Sequence, residues 1–298
     1  MAEPRYKIKA IGAPFDTQYS SCSDLKPLEF SWTTEKGDCD VYIDRAIMYQ
    51  PDLTTSKENR FGWVCESRFI TPDVYNFLIH NHKVLFNNYY NKIFTCDLDL
   101  ISLNSNFIYC PNGSNYPWIK KNIWSVYNKY KLCSMFCSPK VFTEGHIYRH
   151  KIARMALDKG FDVYGGAHGT QRLIADQKNP WDNKPPAPWN SKYPGLIAYM
   201  FSIVIENGVY DSYYTEKITD CFATGTIPVY YGSKKIINLF DSDGIIFLEP
   251  NKEQEILESL SESVYKSKLN SVQNNLNILK TLHTADDFLF KLIKEQIS

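Results

Sequence analysis

The sequence has no net charge, no long apolar run and no paired-cysteine motif, and each absence removes a class of function. Lys plus Arg and Asp plus Glu both number 33 in 298 residues. There is therefore no global positive field to gather a polyanion, and no nucleic-acid partner is expected. No apolar run approaches the roughly 20 residues that cross a bilayer. The opening MAEPRYKIKA has no apolar signal-type core. The expectation is a soluble, cytoplasmic protein with no transmembrane segment. The eight cysteines form no C-x-x-C, and several stand in apolar runs such as GWVCES and LCSMFC. They read as reduced, buried small hydrophobes and not as a disulfide framework. Internal repeats and low-complexity tracts are also missing.

What is present is a globular composition, 44% hydrophobic, in a chain long enough for two cores. YKIKAIGAP, CDVYIDRAIM and RFGWVCES read as strands. TPDVYNFLIHNH, with Pro in its first turn, reads as a helix. VLFNN, KIFTCD and NFIYCPNG read as further strands. The stretch YPWIKKNIWSVYNKYK reads as a bridge. Beyond it, KLCSMFCSP (strand), HIYRHKIARMALDKG (helix), FDVYGG (strand), LIAYMFSIVIEN (strand), YTEKITDCFATG (helix with a Gly stop) and TIPVYYG (strand) alternate in the βα order of a parallel, doubly wound sheet. The predicted division is 1–125, 126–270 and a C-terminal helical segment 271–298 that packs back on the N-terminal domain. The expected fold class is α/β, two Rossmann-type domains facing a central cleft.

Chemistry concentrates in FSIVIENGVYDSYYTEK. An apolar inner strand ends in Glu206 and Asn207, at the carboxyl end where open α/β sheets bind ligands. After a Tyr-rich loop, Thr215 opens a helix with Glu216 and Lys217 in its first turn. A helix N-terminus favours anions, so a lysine there is misplaced unless something negative lies against it. A bound diphosphate would remove the conflict.

The run FSIVIENGVYDSYYTEKITDCFATGTIPVYYGS resembles the donor-site signature of the α-1,3/4-fucosyltransferases, glycosyltransferase family 10. Tyr199, Phe201, Glu206, Asn207, Tyr213, Thr215, Glu216, Lys217, Thr226, Pro228 and Gly232 fall in step with it. Tyr214 and Ile205 replace the usual Val and Phe. Upstream, MFCSPKVFTEGHIYRHKIARMALDKGFDVYGG resembles the family's strand, turn and Arg-bearing helix. The family's phosphate arginine then falls on Arg149, with Arg154 as the alternative register. WVCESRFITP places the family's proposed base on Glu66, whereas Arg68 departs from a Pro. The similarity spans about residues 60 to 250; residues 1 to 55 match no family pattern.

The resemblance implies a GT-B-type inverting transferase that moves fucose from GDP-fucose to a glycan or glycoprotein hydroxyl. It requires no cofactor, holds no metal ligands, and takes a divalent cation at most as a stimulant. Glu66, Lys217 and Arg149 become the catalytic candidates. Glu206, Asn207, Tyr213, Thr215, Glu216, Lys217, Ser138, Tyr164 and Gly165 become the donor-binding candidates, with Glu216 holding ribose hydroxyls. Another nucleotide sugar, a UDP-hexose or UDP-pentose, remains an alternative on the same frame, as does a carbohydrate-binding relic without activity.

Three further patterns compete for attention. Asp97-Leu98-Asp99 is a D-x-D that holds a metal in other glycosyltransferases, but two carboxylates do not complete an oxygen shell. His146 and His150 have the spacing of H-E-x-x-H, with Ile147 where the Glu must stand. Gly165-Gly166 and His168-Gly169 have the look of a phosphate nest, and a β-turn explains them equally.

Overall fold

The computed structural model describes residues 6–165 and 192–297. Its contacts divide them into two compact units. Unit 1 comprises 6–116, 211–213 and 283–297; unit 2 comprises 117–165, 192–210 and 214–282. The first division falls at 116/117 where the sequence suggests 125/126, and the last at 282/283 where it suggests 270/271.

Unit 1 runs β1 (Tyr6–Ile11), β2 (Phe30–Thr33), β3 (Cys39–Ile43), β4 (Arg60–Val64), α1 (Pro72–Asn88), β5 (Lys92–Thr95), α2 (Leu98–Leu103) and β6 (Phe107–Tyr109). All neighbours pair in parallel, in the order β2-β1-β3-β4-β5-β6. β2, FSWT, escapes sequence reading because four residues carry too little alternation. VLFNN, expected as a strand, forms the last turns of α1. Its Leu85 and Phe86 complete the apolar face begun by Val74 and Leu78, and that helical period outweighs local β-propensity.

Unit 2 runs β7 (Lys131–Phe136), α3 (Glu144–Asp158), β8 (Asp162–Tyr164), α4 (Pro194–Ile197), β9 (Tyr199–Ile205), α5 (Glu216–Thr224), β10 (Ile227–Tyr231), β11 (Ile246–Phe247), α6 (Glu253–Ser259), α7 (Glu262–Ser267) and α8 (Leu269–Thr281). The parallel order is β11-β10-β9-β7-β8. All seven residues of β9 are buried, as a central strand covered on both faces must be. Gly225 ends α5 in the left-handed region at φ +68°, the Gly stop that the sequence marks.

The last helix, α9 (Ala285–Ile297), belongs to unit 1. Strand alternation divides the work between the faces of that sheet. Phe61 and Trp63 turn towards Leu289, Phe290 and Ile293 of α9, whereas Val64 joins the cluster of α1. Asp286 fixes α9. Its buried carboxylate accepts Ser21 N at 3.0 Å, the Ser21 hydroxyl at 2.7 Å and Trp32 Nε1 at 2.8 Å.

Burial pushes the Asp286 carboxyl up to about 6 despite these donors. Between the unfolded value of 3.8 and about 6, the folded chain holds a proton that the unfolded chain has released. The contribution of Asp286 therefore declines as pH rises through that window and is constant above it. The unfolding free energy of wild type minus that of Asp286→Asn should fall by about 2 kcal/mol from pH 4 to 6.5, by urea titration at each pH. A flat difference would overturn this.

Candidate functional site

In unit 2 the strand order reverses between β7 and β9, and a parallel sheet binds ligands at the carboxyl ends of the strands flanking such a switch point. Ser138, half-buried, follows β7; Glu206 and Asn207 follow β9. The first turn of α3 closes on the same place. Gly145 N donates to Asn207 O at 3.2 Å, and a Cβ on Gly145 would lie 2.0 Å from Glu206 O. Only glycine lets the helix approach the 206–207 peptide this closely.

From α3, buried Arg149 donates to Ile205 O at 2.5 Å and to Asn207 Oδ1 at 3.4 Å. Arg154 lies on the exposed side of the same helix. His146 is pulled down to about 4 by burial and then by Arg149, so it is neutral at pH 7. Its Nδ1 lies 2.9 Å from the Thr143 hydroxyl that caps α3. His150 Nε2 sits 3.0 Å from Lys140 O. Both histidines are used locally.

Glu206 is fully buried, and its carboxylate faces the start of α5. Oε1 accepts Thr215 N at 3.0 Å and Oε2 accepts the Thr215 hydroxyl at 2.8 Å. Lys217 Nζ donates to Thr215 Oγ1 at 2.9 Å and lies 3.5 Å from Glu206 Oε2 and 3.6 Å from Glu216 Oε1. The conflict of a lysine at a helix N-terminus is thus removed by two carboxylates of the chain itself. The Thr215 N–H and hydroxyl, expected to face phosphate, serve Glu206 instead.

Two residues that sequence reading missed complete the cluster. Lys192 Nζ lies 3.0 Å from both Glu216 Oε1 and Asp220 Oδ2 and 4.4 Å from the centre of the Trp118 ring. Asp220 Oδ1 accepts Trp118 N at 2.7 Å and Ile119 N at 3.1 Å. Burial alone would raise the pKa of Glu216; Lys192 and then Lys217 outweigh it and hold the carboxyl down to about 2. One signal pointed to a cation here without saying which. Glu216 and Asp220 stand four apart on α5, and like charges at that spacing repel unless a cation lies between them. Of the five charged side chains Glu206, Glu216, Asp220, Lys192 and Lys217, the last is the most exposed, at 23%.

The remaining donor-site candidates of unit 2 are strand-end positions. Buried Tyr164 bonds through its hydroxyl to Tyr199. Gly165 has φ +114°, and a Cβ there would meet Cys137 O at 2.6 Å, so close backbone approach by itself requires this glycine. Gly166, His168, Gly169 and most of the Pro-rich loop lie outside the described residues. Tyr213 is buried and groups with unit 1. Beside it, Ser212 donates to Cys96 O at 2.6 Å.

In unit 1, Glu66 is half-buried two residues beyond β4. Its N–H donates to Asp44 Oδ1 at 3.2 Å, and its carbonyl accepts the Tyr75 hydroxyl at 3.2 Å. The D-x-D is a helix cap. Asp97 Oδ1 accepts Asp99 N at 3.0 Å and Leu100 N at 3.2 Å. Arg68, the residue that departs from the family pattern, donates through Nε to Asp97 Oδ2 at 2.6 Å and lies 2.8 Å from Asp99 Oδ2 through Nη2. A cation at this pair would have to displace Arg68. Among the described residues no group of three or more His, Cys, Asp or Glu side chains is arranged to hold a metal. No helix among them is long and apolar enough to cross a membrane.

The fold is of the GT-B type. A crystal structure of an α1,3-fucosyltransferase with GDP superposes with a TM-score of 0.53 at 14% identity, covering 96% of this chain and 93% of that one. A structure of an α1,3-fucosyltransferase with GDP-fucose gives 0.52 at 15% identity over 100% and 90%. A third α1,3-fucosyltransferase structure gives 0.52 at 13% identity over 99% and 90%. No protein-family model and no curated protein matches the chain.

Proposed function

We propose that the protein is an inverting glycosyltransferase that transfers fucose from GDP-fucose to a hydroxyl of a glycan. One observation carries this reading. The donor-site motif residues Glu206, Asn207, Thr215, Glu216 and Lys217, and Arg149 of the upstream helix, converge at the β7/β9 switch point of a GT-B-type unit. The similar solved structures with GDP and GDP-fucose favour that donor over a UDP-sugar.

On this reading the cluster divides its roles. Glu206 and Thr215 build the start of α5. Lys192 bridges Glu216 and Asp220. The Lys217 ammonium, beside Glu206 and Glu216 and the most exposed of the five charged groups, is the one that meets the departing diphosphate. Arg149 holds the β9 end and orients Asn207, so its contribution to phosphate binding is shared with a structural task. Negative charge grows on the leaving group in the transition state, and a preorganised cation lowers that barrier. An acceptor hydroxyl is a weak nucleophile at neutral pH; Glu66 takes its proton as general base. A single displacement inverts the anomeric carbon without a covalent intermediate. The Glu216 carboxylate, engaged by two lysines, is a poorer candidate for ribose than the sequence suggests.

The test is a thermal-shift panel of GDP-fucose, GDP-mannose, UDP-glucose, UDP-galactose and UDP-xylose, with and without Mg²⁺ or Mn²⁺. A ligand at about a hundred times its Kd should add roughly 2.7 kcal/mol. GDP-fucose should stabilise without metal, and Lys217→Ala should weaken it by about tenfold or more, as loss of a charge-assisted contact does. Stabilisation by UDP-sugars alone would overturn the donor. No stabilisation by any member, with no donor hydrolysis, would favour the inactive relic.

A further inference from the structure

We infer that Asp44 is a positioning residue for Glu66, its buried carboxylate holding the peptide that carries the candidate base. The inference rests on the reading of Glu66 as base. It starts from an oddity of the backbone. Asp44 follows β3 at the switch point of the unit 1 sheet, between β1 and β3, with φ +49°. That region suits glycine; among other residues Asn and Asp tolerate it best, and it still destabilises the turn relative to glycine. A non-glycine residue there, and an acid only 8% exposed, needs a compensating task.

The task is visible in its contacts. The parallel ladder between β3 and β4 ends at Ile43 and Trp63. The N–H groups of Cys65 and Glu66 lie beyond that end. Asp44 supplies acceptors: Oδ1 takes Cys65 N at 3.0 Å and Glu66 N at 3.2 Å, and Oδ2 takes the Cys65 thiol at 3.0 Å. The same peptides are held from two other directions. Gly113 N donates to Cys65 O at 3.1 Å, and the Tyr75 hydroxyl of α1 donates to Glu66 O. A Cβ on Gly113 would meet Cys65 Cβ at 2.8 Å, so this side cannot shift to take over. The main chain of Glu66 is thus fixed on three sides, and Asp44 provides the only carboxyl group among the three. A general base displaced by an ångström loses much of its effect, which gives a strained, buried acid at this turn its function.

Two substitutions of Asp44 separate the backbone strain from the carboxylate, and a third at Glu66 tests the coupling. Asp44→Gly relieves the strain and removes the acceptor. Asp44→Asn tolerates the conformation and keeps one acceptor oxygen for the two N–H groups. Glu66→Ala removes the base, alone and combined with Asp44→Gly. Hydrogen exchange of the Cys65 and Glu66 amides is read in each, together with hydrolysis of GDP-fucose. In Asp44→Gly the two amides should exchange at least about tenfold faster, and kcat should fall about tenfold with KM unchanged. Asp44→Asn should restore most of both. If Asp44 acts through Glu66, the double variant is no slower than Glu66→Ala. Wild-type protection of the two amides in Asp44→Gly would overturn the proposal, and so would additive losses in the double variant. Full turnover in Glu66→Ala would overturn the base assignment itself, a distinct result from either.

Discussion

Replacing Lys192 by Ala should lower the unfolding free energy by about 3–5 kcal/mol at pH 7, the usual consequence of stripping the partner from a buried ion pair. Its two partners are almost wholly enclosed: the Glu216 and Asp220 side chains are 5% and 1% exposed. Without the ammonium they face each other across one turn of α5, and Lys217, 3.6 Å from Glu216, is left to serve Glu206 and Glu216. The pH dependence gives the signature. In the wild type Glu216 is held down to about 2 from 4.5, so its stabilisation is present above 4.5 and is lost as pH falls towards 2. In Lys192→Ala a carboxylate pair without its cation has a raised pKa, so stability is lost as pH rises. The gap between the two proteins should therefore be widest at neutral pH and narrow on acidification. Urea unfolding at pH 7 and pH 4 reads both. Lys192→Met, which keeps an apolar stem over Trp118, should recover little. A loss below about 1 kcal/mol at pH 7 would mean that the cluster is wetter than its geometry implies.

Glu66→Ala should reduce turnover by about two decades or more while the donor binds as before, the pattern of a lost general base. Glu66 belongs to unit 1 and the Arg149–Lys217 cluster to unit 2, so the substitution removes no member of that cluster. Steady-state kinetics with GDP-fucose, paired with calorimetry of GDP binding, measures the two quantities independently. Normal turnover would remove Glu66 from the mechanism. A parallel loss of GDP binding would make its role one of folding.

The two clusters were unequally legible. Glu206, Asn207, Thr215, Glu216 and Lys217 are close in the chain, and a strand end followed by a helix start brings them together by local geometry alone. Arg149 was legible with one register left open, because helical period puts it and Arg154 on different sides and only packing chooses between them. Lys192 and Trp118 were hidden. Neither carries a motif, and they meet Asp220 from positions 28 and 102 residues away. Asp44 was hidden as well, since a strand-end aspartate looks the same whether it faces water or two backbone amides.

By itself, then, the sequence determined the alternation of strands and helices, the parallel sheets that follow from it, and the polar set gathered at the end of β9. These depend on hydrophobic period and on caps, which act within a few residues. Only the tertiary structure decided what each charge faces. It set Glu206 and Glu216 beside Lys217, gave the D-x-D to Arg68, and moved VLFNN into a helix. Partnership between charges is set by burial and by contacts across long sequence separations, and a linear pattern carries neither.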